Sequence, residues 1–128
     1  MPTPSHLARR RPIACCLLFL APSLSALAQG APPAAVATGS YECWGNGSPR
    51  MLLNLQVTGS GSYRSPEGQK GAFSYDTRTG AVAFKGGHLD GVMPAGFVTI
   101  YHEPKGRPTF SFRSGRGAEA SFCERVGK

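Results

Sequence analysis

Long apolar runs, acidic residues, histidine and helical periodicity are all scarce in this chain, and each scarcity excludes a class of protein. The longest apolar stretch, residues 13–21, is about nine residues, against roughly twenty for a helix that spans a bilayer. Beyond it no apolar residues recur at three-and-four spacing over a helix length, so helices are not expected. The 128 residues include 3 histidines, 4 cysteines and 7 acidic side chains. No histidine or cysteine set has the spacing of a recognised metal motif, and no serine lies in a G-x-S-x-G context. Gly86-Gly87 is followed by no helix whose N-terminus could complete a phosphate cradle. The expectation is a chain without cofactor that is not an enzyme.

The start of the chain reads as a targeting segment. His6, Arg9, Arg10 and Arg11 form a positive region ahead of the short apolar core. Ser25-Ala26-Leu27-Ala28 then offers small residues at the spacing of a signal-peptidase site. We expect residues 1–28 to be a signal peptide cleaved after Ala28, and a periplasmic or secreted protein. Twin-arginine export has only Arg9-Arg10 for it. A lipidated Cys15 is disfavoured because the apolar run follows that cysteine instead of leading to it. Without the leader, 11 Lys and Arg remain against 7 Asp and Glu, about +4, so much of the formal +7 belongs to the targeting segment.

The same subtraction leaves two cysteines, Cys43 and Cys123. An even pair in an exported chain reads as a disulfide. A cross-link closing about 80 residues restricts the unfolded chain by about 4 kcal/mol in the chain-entropy model.

Residues 29–38 are rich in Ala and Pro without alternation and read as a linker or a disordered start. Residues 39–125 read as one β-rich domain. Strands are expected at 40–44, 50–57, 62–64, 72–76, 81–85, 97–102, 109–113 and 121–125. In them large apolar residues fall two apart, as Phe73 with Tyr75 and Val82 with Phe84 do. In the strand at 50–57, Met51, Leu53, Leu55 and Val57 share the face expected to be buried. Turn residues separate the runs, Asp76 and Gly80 bounding one of them. The fold class is therefore all-β: a small antiparallel meander of about eight strands, a closed barrel or a sandwich, tied by one disulfide. Trp44 and Phe122 share the face opposite their neighbouring cysteines. Glu42 and Glu124 share it too, so its burial stays open.

Three constellations could carry chemistry. His88, Asp90, His102 and Glu103 supply two imidazoles and two carboxylates, though solvated loop side chains are the simpler reading. Ser60, Ser62 and Ser74 lack an activating context. Past Gly91, six basic residues face three acidic ones with Tyr101, Phe110 and Phe112 among them. A soluble basic surface is the simpler reading. If there is a ligand it is anionic, and Arg107, Arg113 and Arg116 are the residues expected to hold it, because guanidinium grips carboxylate and phosphate in two-point fashion.

Two resemblances attach to these residues. Gly39-x-Tyr41-x-Cys43, Gly61-x-Tyr63, Gly71-x-Phe73-x-Tyr75-Asp76, Thr79-Gly80 with Phe84-x-Gly86-Gly87-x-Leu89-x-Gly91, and Cys123 resemble a family of small exported bacterial domains without assigned activity. That implies a β-rich exported domain and no chemistry. Tyr41-x-Cys43, the closing Cys123 and Ser60-Gly61-Ser62-Tyr63 are similar to periplasmic c-type lysozyme inhibitors, with the tyrosine one place early. The likeness implies an eight-stranded barrel and an inhibitory loop at Ser60, Gly61 and Tyr63.

The expected function is an exported, non-catalytic binding or envelope-associated domain of unknown ligand, for which an anionic envelope glycan or lipid is one candidate and nucleic acid is not expected. Inhibition of a lysozyme is the alternative, and a metal-dependent enzyme the more distant one.

Overall fold

The period-two runs become strands, and their turns lay them side by side. A computed structural model describes residues 30–127; the expected leader lies outside the described residues. The strands are β1 (Gly39–Gly45), β2 (Ser48–Pro49), β3 (Leu55–Gly59), β4 (Ser62–Arg64) and β5 (Lys70–Tyr75). They continue as β6 (Ala81–Lys85), β7 (Val98–His102), β8 (Thr109–Arg113) and β9 (Glu119–Val126). Two single 3-10 turns, Met51–Leu53 and Pro104–Gly106, are the only helical pieces among the described residues.

From β3 to β9 each strand pairs antiparallel with the next, and β1 pairs with β3 along one edge and β9 along the other. The sheet therefore closes into a ring of eight strands, and β2 is a two-residue return against the far end of β1. The expectation of about eight strands tied by a disulfide is met: Cys43 and Cys123 are directly opposite each other and bonded.

Alternation decides what lies inside. Tyr41, Cys43, Leu55, Val57, Tyr63, Phe73, Val82, Tyr101, Phe110, Phe112 and Cys123 are buried in one cluster. Each such side chain contributes about 1.5–3 kcal/mol relative to leaving it exposed. The rings meet edge-on, Tyr41 with Phe110 at 4.8 Å and Tyr63 with Phe84 at 5.1 Å between centroids. Gly71 is required beside Tyr63, because a Cβ there would stand 2.5 Å from the tyrosine ring. Trp44, Phe122, Glu42 and Glu124 lie on the other, outer face, which settles the side left open by the sequence.

Two expectations need correction. The stretch 50–57 is not one strand. Arg50 donates its amide to Cys43 O at 2.7 Å, and the 3-10 turn Met51–Leu53 follows. Asn54 Oδ1 then accepts from Cys43 N at 2.9 Å, so a side chain replaces the ladder partner there. Met51 is consequently 73% exposed despite its place in the alternation.

The Ala/Pro-rich segment is not loose either. Val36 is buried in the core, and three tyrosine hydroxyls reach the backbone from Pro33 to Ala37. This strap covers the end of the ring where β1 begins.

Candidate functional site

A buried polar cluster is built on β7, β8 and β9. Thr109 and Ser111 lie on the outer face of β8, between the inward Phe110 and Phe112, yet both are buried. Ile100 on β7 and Phe122 on β9 stand directly across from Ser111 and flank it. Beneath this cover Ser111 Oγ donates to Glu119 Oε2 at 2.6 Å. His102 Nε2 lies 2.7 Å from Ser111 Oγ. The hydroxyl has a single proton, so the imidazole must donate from Nε2. Burial lowers the His102 pKa, Arg113 lowers it further, and Glu119 works against both.

This order fixes what the cluster can do. In a nucleophilic serine the hydroxyl gives its proton to the imidazole. Here the proton points to the carboxylate, and Ser111 has no exposed surface. The cluster orients His102.

Above it runs a groove of about 690 Å³ along β7 and β8. Ile100, His102 and Arg113 line its floor, and Pro32 and Pro33 of the strap with Thr79 and Pro104 line its sides. Proline has no amide to donate, so the groove's polar character comes mainly from His102, Glu103 and Arg113. Glu103 is itself engaged, accepting from the Tyr101 hydroxyl at 2.7 Å.

The strap forming one wall is held from below. Tyr75 donates to Pro33 O at 2.6 Å, and Tyr41 to Ala37 O at 2.6 Å. Burial raises the pKa of all three strap tyrosines, Tyr41 to about 12.

The residues singled out in the sequence fall in different places. Arg113 lines the groove, but Arg107 precedes β8 and Arg116 follows it. Six residues of extended chain cover roughly 20 Å, so Arg107 and Arg113 stand at opposite ends of the ring. The three arginines do not form one face, which corrects the expected cluster. His88 and His102 are also at opposite ends. His88 Nε2 is 2.8 Å from Asn54 O, while Asp90 accepts from Gly86 N at 2.8 Å. Among the described residues no three His, Cys, Asp or Glu side chains gather where they could hold a metal ion.

Ser60 and Gly61 form the tight β3–β4 turn, with Gly61 N bonded to Gly59 O at 2.9 Å. Tyr63 points the other way, into the core, donating to Gly86 O and accepting from Leu89 N. It has 1% exposure, so its expected place in an inhibitory loop is corrected: a partner cannot touch it.

Ser111, Glu119 and the strap tyrosines were not singled out by the sequence. The one available signal was that Ser111 is a hydroxyl between two inward phenylalanines.

The fold thus defines a small all-β domain, a closed antiparallel ring with a tethered N-terminal strap and one disulfide. Comparison with family models, curated proteins and solved structures gave no match to this chain. No helix among the described residues is long and apolar enough to cross a membrane.

Proposed function

We propose that this chain is an exported, non-catalytic binding domain whose ligand is anionic and lies in the groove over β7 and β8. The observation that carries the reading is the shared floor of Arg113 and His102, with Glu103, which already accepts from Tyr101, the single carboxylate in the lining. Arg113 offers a guanidinium to a carboxylate or phosphate. His102 is already oriented by Ser111, and an anion beside it favours its protonated form. Arg107 and Arg116 act at most through long-range attraction, since screening acts over roughly 8 Å at physiological ionic strength.

The test is binding of purified protein to envelope glycans and anionic lipids at low and high salt. Binding that weakens with salt and is lost in Arg113→Ala, but kept in Arg107→Ala, is the expected result. Binding indifferent to Arg113 and to salt would refute the groove. The lysozyme-inhibitor reading retains only Ser60 and Gly61 as surface contacts, and it requires that Ser60→Asp abolish inhibition.

A further inference from the structure

The ring has its shortest junction at one seam. β6 and β7 pair only at Ala81 with Ile100 and Val82 with Thr99. In register, Ala83 would come next, opposite Val98, and then Phe84 opposite Phe97. Neither pair forms, and the Phe97 amide turns back to Pro94 O at 3.2 Å. Both neighbouring junctions are longer, with four pairs between β5 and β6 and five between β7 and β8. The seam is thus a local feature of the sheet.

Where the strands part there is a cleft of about 310 Å³. Val82, Phe84, Leu89, Met93, Phe97 and Phe112 line it, and Thr99 is its single side-chain hydroxyl. Its floor is the core itself: Leu89 and Phe112 are buried, and the Phe84 ring stacks on Phe112 at 6.5 Å. Its roof is the crossing between β6 and β7, turned at Gly91 and Gly96 in left-handed conformations and pinned where Leu89 N meets the Tyr63 hydroxyl. Val92 and Val98 leave the rim apolar, 39% and 46% exposed.

Charge stands just outside. By strand alternation Ala83 and Lys85 of β6 face outward. Across the opening Val98 faces outward too, with Arg113 as its direct partner on β8. An uncharged slot reaching the core, with Lys85 on the strand at one side of its mouth and Arg113 one strand beyond the other side, matches one chemistry: a single hydrocarbon chain ending in an anionic head.

We propose that the β6–β7 seam is a binding site for a single-chain anionic amphiphile, its acyl chain in the cleft and its headgroup between Lys85 and Arg113. The site rests on the anionic-ligand reading for the headgroup alone. The acyl cleft stands on its own lining.

Laurate, dodecyl maltoside below its micelle concentration, and acetate distinguish the parts when titrated into the disulfide-bonded protein by calorimetry and chemical-shift mapping. Laurate is expected to bind and shift Phe84, Met93 and Phe112, whereas acetate does not reach them. Ala83→Trp, which puts an indole over an exposed lining position, should weaken laurate by about tenfold or more. Val98→Glu, at the exposed rim, should weaken laurate while sparing dodecyl maltoside, and covers the case that the first variant folds poorly. Laurate without shifts at the seam, or unaffected by both variants, overturns the proposal. Polyanion binding at Arg113 without laurate binding would overturn the cleft and leave the proposed function standing. Equal binding of laurate and dodecyl maltoside, insensitive to Arg113→Ala, would keep the cleft and remove the anionic reading.

Discussion

Tyr41 and Tyr101 hold the same residue by its two backbone groups: Tyr41 donates to Ala37 O at 2.6 Å, and Ala37 N donates to the Tyr101 hydroxyl at 3.1 Å. Neither tyrosine is near Ala37 in the sense of a shared strand, and Tyr101 is 64 residues away. The strap is therefore part of the folded unit.

Tyr101→Phe leaves the Ala37 amide and the Glu103 carboxylate without their partner. A half-buried donor left unpaired costs about 1–3 kcal/mol. The expected outcome is an unfolding free energy in urea lowered by that amount and faster proteolysis within residues 30–38. An unchanged cleavage rate would mean that the strap is held by Val36 alone.

Alkaline pH should loosen the same contacts. The Tyr41 pKa is raised to about 12 from 10.0. Because the folded state binds that proton more tightly, its contribution is complete below about pH 10. It is lost as pH rises from about 10 through about 12. Urea unfolding of the oxidised protein across this range should show the decline, with a shallower slope in Tyr41→Phe.

His102 sets an opposite dependence in acid. Its pKa is lowered, by burial first and then by Arg113. The unfolded chain thus binds the proton more readily, so stability is full above about pH 6.5 and falls as the medium becomes more acidic. Arg113→Ala should move the His102 midpoint upward in an NMR titration. An anion bound at Arg113 should move it the same way. A midpoint indifferent to both would separate Arg113 from the imidazole.

Replacing both Cys43 and Cys123 with Ala should cost about 4 kcal/mol in the chain-entropy model. The measurement is chemical unfolding against the oxidised protein. A loss of a few tenths would show that the β1–β9 ladder, with its five residue pairs, already limits the unfolded chain.

Much of the ring was legible because its information is local. Period-two runs placed Phe73, Val82, Phe110 and Phe112 inside, and short turns implied neighbouring strands. The disulfide followed from two remaining cysteines. What escaped was lateral. Arg107 and Arg113 are close in the chain but separated along a strand, whereas His102 and Glu119 are brought together by register on either side of Ser111. The break at Arg50 escaped because the Asn54 side chain imitates a strand partner, which no alternation of apolar residues records. The strap escaped because a segment of Ala and Pro carries no periodicity. Its anchors are hydroxyls on distant strands.

The closure of β1 on β9 also has a meaning in time. A growing chain delivers its N-terminus first, so one edge of β1 stands bare until residues near Val126 have been made. Every junction between neighbours can zip as it appears, but the last seam joins the two ends of the chain and carries the largest loop-closure entropy. Removing β9 would therefore do more than shorten the sheet. It would leave β1 and β8 as two open edges, each a template for another molecule, so a truncated chain of this kind is expected to associate with itself.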